Sequence, residues 1–184
     1  MKFLIIYSFI FLIGCKSVKK EPETFLAQNM EKKSNSPDQI STGCPENGEC
    51  SWEYQANTSL QVKEDTTGAL YPVFTPKPGV HVLKYTYTKK TNPNYADSGY
   101  KEVVLFEITE SLKEISISND ALTQLKVTYG RLCYCRGATG YVRVTKGSLD
   151  IAKENRGYSV NFNLDNGKYP QIANRSQGFV KVTE

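Results

Sequence analysis

From Tyr158 to Leu164 the large apolar residues Tyr158, Val160, Phe162 and Leu164 stand at alternate positions, with Ser159, Asn161 and Asn163 between them. Successive side chains of an extended strand point to opposite faces, so this spacing makes one face apolar and the other polar. A helix would scatter the same residues around its circumference. The pattern predicts a half-buried strand, and Asp165-Asn166-Gly167 after it predicts a tight hairpin, with Lys168 to Ile172 returning antiparallel. Gly147 to Ala152 reads as the strand before it. Similar runs predict strands over Ser51 to Gln55, Ser59 to Lys63, Val80 to Lys89, Tyr100 to Ile108, Ile115 to Ser118, Leu125 to Cys135, Tyr141 to Lys146 and Phe179 to Thr183. Only Asn119 to Leu125 hints at a helical turn, with Asn119 or Asp120 as its cap. Many short strands separated by Gly, Asn and Pro turns predict an all-β fold, an antiparallel β-sandwich or a small barrel.

The chain has 184 residues, of which 39% are hydrophobic and 23% charged. Such a balance excludes collagen, a coiled coil, a mostly disordered chain and a multi-span membrane protein. The strand pattern begins at Cys44, so residues 44–184 form the predicted single β domain, large enough to bury about two-thirds of its unfolded surface.

The residues before it have a different character. Lys2 precedes an apolar run from Phe3 to Ile13, too short for the roughly 20 apolar residues that a spanning helix needs. The run ends in Leu12-Ile13-Gly14-Cys15. Charge, apolar length, small residue and cysteine in this order resemble the signal and lipobox of bacterial lipoproteins. The resemblance implies that residues 1–14 are a removed signal peptide. It also implies that Cys15 is lipidated on its thiol and becomes the new N-terminus, usually acylated on its amine as well. Two or three acyl chains, at about 0.8 kcal/mol per buried CH₂, anchor a protein stably without spanning the bilayer. Lys16 rather than Asp follows Cys15. In enterobacterial lipoproteins that difference favours the outer membrane. From Cys15 to Gly43 the sequence is rich in Lys, Glu, Ser, Asn, Gln and Pro and predicts a disordered tether, with a short helix around Thr24 to Lys33 as a possibility. The β-rich remainder is similar to small exported lipoproteins of Bacteroidota, a likeness that implies no activity. The periplasmic or surface face is left open.

Cys44, Cys50, Cys133 and Cys135 remain after Cys15. An even count in an exported chain predicts two disulfides. Residues i and i+2 of a regular strand lie almost 7 Å apart, too far for the roughly 3.8 Å Cβ separation of a relaxed disulfide. Both bonds are therefore expected to run between the 44/50 turn and the 133/135 strand, each closing a loop of more than eighty residues. The alternative, Cys44 with Cys50 and Cys133 with Cys135, needs a bend at Tyr134. A four-cysteine zinc site is the third reading, but C-x5-C followed by C-x-C departs from the usual C-x2-C knuckles. No metal and no cofactor is expected.

Chemistry beyond the cysteines is sparse. His81 is the only histidine, which removes multi-histidine metal centres and HExxH and would force any Ser-His-Asp set to use it. Its place between Val80 and Val82 reads as a hydrogen-bonded strand residue. Glu102, Glu107 and Asp97 are acids that a glycosidase would have to pair in space. Gly137 to Gly140 lacks the lysine and following helix of a phosphate loop and reads as a turn. Residues 44–125 carry seven lysines against eleven acids, and residues 126–184 carry five lysines and five arginines against four. That asymmetry would suit an anionic partner, yet nucleic acid is not expected in an envelope, and strands alternate their faces.

Candidate binding residues follow from exposure. Tyr95 lies in the polar loop from Lys89 to Gly99, and Tyr134, Arg131 and Arg136 surround the Cys-x-Cys pair. The sequence predicts a lipid-anchored envelope protein, held at the membrane by its N-terminal lipid, whose β domain binds an envelope protein or a glycan, or serves structurally, without catalysis. The alternatives are a thiol-disulfide protein using Cys133 and Cys135, in which Arg131 and Arg136 would favour the thiolate, a carboxylate hydrolase, and a lipocalin-like carrier of a small apolar ligand.

Overall fold

A computed structural model of the protein describes residues 41–92 and 94–182. The expected signal peptide, Cys15, the part of the expected tether up to residue 40, the helix suggested around Thr24 to Lys33, and Thr183 lie outside the described residues. Strands are β1 (Ser41–Thr42), β2 (Gly48–Gln55), β3 (Thr58–Glu64), β4 (Leu70–Pro76), β5 (Val80–Lys89) and β6 (Tyr100–Thr109). They continue as β7 (Glu114–Ser118), β8 (Thr128–Cys133), β9 (Gly140–Arg143), β10 (Lys146–Glu154), β11 (Gly157–Asp165) and β12 (Arg175–Lys181), and a 3₁₀ helix, Asn119–Leu125, precedes β8.

Two antiparallel sheets result. One has the order β1-β12-β11-β10-β7, the other β2-β5-β6-β8-β9-β4-β3. The arrangement is a sandwich. Alternation explains which face each residue takes. On β5, Leu83, Tyr85 and Tyr87 enter the inter-sheet core, while Val82 belongs to a second cluster on the opposite face. Trp52 of β2 is 1% exposed and meets Tyr85 at 5.1 Å in its own sheet and Phe162 at 5.9 Å in the other. Side chains such as these fill the space between the sheets, which is the packing of a sandwich and not of a ligand-holding barrel.

The seven-stranded sheet is not flat. β4 pairs with β9 only at Leu70↔Tyr141, whereas β3 and β4 pair from end to end. The β3–β4 hairpin folds back over the outer face of β5 and β6, where Leu60 buries itself with Val82, Val103 and Leu105. Glu107 pins it there. One carboxylate oxygen accepts the Leu60 N–H at 2.7 Å and the Ser59 hydroxyl at 2.8 Å, and Lys126 Nζ lies 2.8 Å from both oxygens.

Four expectations need correction. β4 was not anticipated because Pro72 and Pro76 argue against a strand. Apart from Leu70, its second edge is unpaired in the sheet, so the missing N–H groups cost no ladder bonds there. Second, Lys168 to Ile172 is not the returning strand, which is β12. Asn166, 7% exposed, organises a longer loop. Its Oδ1 accepts the N–H groups of Lys168 and Tyr169, and its Nδ2 donates to Tyr169 O and Gln171 Oε1. Third, the helical turn has Ser118 at its cap position without a side-chain cap bond, and Asn119 itself adopts φ 52°.

The fourth correction concerns the disulfides. Cys44 bonds to Cys50 and Cys133 to Cys135, with Cα separations of 5.8 and 5.2 Å. β8 ends at Cys133 and the chain bends at Tyr134, so the distance argument for a straight strand does not apply. The bonds close short loops, with sequence separations of 6 and 2, and so restrict the unfolded chain less than the expected long-range pair. Bonded in disulfides, these four sulfurs are not thiolates that could hold zinc.

Candidate functional site

The folded-back hairpin leaves a groove of about 400 Å³ between β4 and the outer face of the large sheet. Register dictates its surfaces. Cross-strand partners share a face, so Phe74 projects on the same side as Leu60 and faces the groove. Phe74 is 41% exposed there, a large apolar ring that the fold leaves open to solvent. The floor comes from outward positions of β2, β5 and β6, where Ser51, Gln55, Thr86 and Thr88 supply short polar groups, and Lys84 and Lys101 supply charge. Lys84 donates to Glu53 at 2.9 Å, while Lys101 is exposed. At the far wall Tyr141 leans over Gly130, its cross-strand partner, whose missing Cβ would lie 2.4 Å from the ring.

A neighbouring cleft of about 350 Å³ lies on the other side of β3, with Lys126 and Arg143 in its lining. Both cations are already committed. Lys126 holds Glu107 and the Leu60 carbonyl, and Arg143 Nη2 donates to the Val62 carbonyl at 2.9 Å. That cleft fastens the hairpin, whereas the groove has unengaged groups on offer.

No protein-family model, curated protein or solved structure matches the chain. The site is therefore judged on its own chemistry.

The residues singled out from sequence fall in three places. Tyr95 is 68% exposed in the β5–β6 loop, where its carbonyl accepts the Ser98 N–H and hydroxyl. Tyr134 is 84% exposed and Arg136 is exposed on the loop after β8. Tyr100 and Cys133 are register partners, so both loops leave the same end of the large sheet. Arg131 is half-buried and turned to structural use. Its Nη1 donates to the Ala138 carbonyl at 2.9 Å, its Nε to Tyr100 Oη at 3.2 Å, and its guanidinium lies 5.2 Å from the Tyr100 ring centre. None of these residues lines the groove. Sequence reasoning missed the groove because its roof is β4. The one sequence signal for it was Phe74 between two prolines.

The acids do not converge. Glu102 and Glu107 take opposite faces of β6. Glu102 is 0% exposed and accepts the backbone N–H groups of Ile172 and Ala173 at 2.8 and 2.7 Å, together with the Tyr100 hydroxyl. Burial and the hydrogen bond to Glu102 push the Tyr100 phenol up to about 12. On the other face, burial raises the Glu107 pKa, but Lys126, Ser59 and the Leu60 N–H outweigh it and hold the carboxyl below its ordinary range. His81 is 6% exposed, and its Nδ1 accepts the Asn57 N–H at 3.2 Å, placing the ring proton on Nε2. Desolvation lowers its pKa, with Glu110 opposing and Lys153 reinforcing the shift. Among the described residues no group of three His, Cys, Asp or Glu could hold a metal ion.

Proposed function

We propose that the protein is a lipid-anchored lipoprotein of the bacterial cell envelope, attached through Cys15 and favoured for the outer membrane. Its β-sandwich is a non-catalytic binding module that takes an acidic glycan in the groove beneath β4. The supporting observation is an open aromatic ring, Phe74, in a groove whose lining carries the hydroxyls of Ser51, Thr86 and Thr88, the Lys84–Glu53 ion pair and the exposed Lys101. Sugar rings present C–H faces to aromatic side chains and hydroxyls to polar ones, and Lys101, beside the neutral Lys84–Glu53 pair, suits a uronate or other acidic sugar.

Titration calorimetry of the purified chain with an acidic oligosaccharide, a neutral one of equal length and an acidic peptide tests the ligand class. Binding of the acidic sugar should fall about tenfold in Phe74→Ala, a loss of about 1.4 kcal/mol, and also in Lys101→Glu, with melting temperature unchanged. Equal affinity for the neutral sugar, preference for the peptide, or insensitivity to both variants would sink the glycan reading. For the anchor, a clickable fatty acid fed to expressing bacteria should label the protein, and Cys15→Ser should abolish both label and membrane retention. A labelled Cys15→Ser protein would refute the anchor.

A further inference from the structure

The two disulfides are embedded in different surroundings. Cys44 and Cys50 pack against the inter-sheet core, and Cys50 Sγ lies 2.9 Å from the Tyr85 hydroxyl, itself buried. Cys133 ends β8 and Cys135 follows in the loop, both half-buried, and Tyr134 between them is 84% exposed, the most exposed large hydrophobic side chain among the described residues. That loop is held by bonds other than its disulfide. Arg131 pairs with Gly140 at the base of β8 and β9, and its Nη1 grips the Ala138 carbonyl. The Thr139 hydroxyl donates to the Arg131 carbonyl, and the Ala138 N–H donates to the Cys135 carbonyl. Opening the Cys133–Cys135 bond therefore leaves the loop closed and the core untouched. Arg136 follows Cys135 directly in sequence and is exposed, and a nearby cation favours the thiolate of a leaving sulfur.

We propose that Cys133–Cys135 is an exchangeable disulfide that oxidises an exposed dithiol of another protein, a second activity independent of the groove. A client thiolate attacks Cys133 Sγ, the Cys133–Cys135 bond breaks, and Cys135 leaves as a thiolate next to Arg136. The client's second thiolate then attacks the client sulfur of the mixed disulfide and expels Cys133. Two electrons pass from the client, which gains a disulfide, to this protein, which becomes a dithiol. The two protons given up by the client thiols end on Cys133 and Cys135. Tyr134, 84% exposed and between the two cysteines in sequence, offers the client an aromatic contact.

The experiment mixes the full oxidised chain with a reduced synthetic peptide carrying two cysteines, quenches with an alkylating reagent and maps the labelled cysteines by mass. Cys133 and Cys135 should be labelled at least about tenfold faster than Cys44 and Cys50. The peptide should gain one disulfide per chain, and the emission of Trp52, the only tryptophan, should keep its native position throughout. The Cys133→Ser/Cys135→Ser chain should keep the fold and lose the oxidising equivalent, while glycan binding stays unchanged. Equal opening of both bonds, or opening only as Trp52 emission shifts to that of the unfolded chain, overturns the proposal. So does failure of the double serine variant to fold, because the loop would then depend on its disulfide.

Discussion

At the scale of single residues, the stability of this sandwich rests on a few polar groups that sit where apolar ones would be expected. Glu102 is the strongest case. Its buried carboxylate is met by two backbone donors of the β11–β12 connection and by Tyr100, so it ties the inner face of one sheet to a loop of the other. Glu102→Gln keeps the volume but can turn an N–H₂ group toward those donors, leaving at least one unsatisfied. Urea denaturation should show a loss of about 2 kcal/mol or more, whereas an exposed acid such as Glu53 changed to Gln should cost under about 0.5 kcal/mol. His81 gives a pH signature. Its folded pKa is depressed below 6.5, so as pH falls through 6.5 the unfolded chain takes a proton that the folded chain refuses. Stability attributable to neutral His81 is intact above 6.5 and declines below it, down to the lowered folded value. His81→Asn, which can still accept the Asn57 N–H, should flatten that decline just below pH 6.5 in denaturation curves. An unchanged slope would show that other groups cause it.

Elements bring in the question of legibility. β11 was readable because it presents one wet and one dry face, and β5 because polar and aromatic residues alternate from Lys84 to Thr88 even though Val82 is buried on its outer face; Val80–Lys89 coincides with the predicted strand. β4 was not readable, since its prolines are tolerated only because the sheet curls away from its second edge. The turn after β11 was misread for a related reason. A two-residue hairpin of the Asn-Gly type needs positive φ at both central residues, but only Gly167 has it, at 67°, while the Asn166 side chain bonds the loop instead. The groove inherits this blindness because it exists only where β4 lies over β5 and β6. The pairing that holds it in place is testable at this scale. Glu107→Gln removes the charge facing Lys126 while keeping an acceptor for Ser59 and Leu60. Because the Glu107 pKa is held below 4.5, its contribution is complete above 4.5 and fades as pH falls through the folded value. Wild type and variant should therefore differ at pH 6 and converge once pH has fallen below the lowered folded pKa of Glu107. The difference should be matched by faster hydrogen exchange of the β3 amides in the variant at neutral pH.

Across the whole molecule, the two sheets are brought together by one indole. Gly178 of β12 faces Trp52 so closely that an added Cβ would lie 2.3 Å from the indole nitrogen. Ring atoms wedged between sheets have little freedom to retreat, so Gly178→Val should force the layers apart. A loss of about 2 kcal/mol or more and a red-shifted tryptophan emission are expected. Native emission with unchanged stability would show that the sheets repack at no cost.

The entry of the chain into this sandwich has a mechanical meaning. Ser41 and Thr42 join the small sheet as its edge, paired with Gln177 and Gly178, and Cys44 follows within two residues. Tension applied from the N-terminal side would first unzip that two-residue edge and then reach a covalent stop. Beyond it the load passes through sulfur to Cys50 on β2, the edge strand of the large sheet, opposite Tyr87 of β5, and bypasses the intervening turn. Under a pull the domain can give up its two-residue edge without releasing the turn between Cys44 and Cys50.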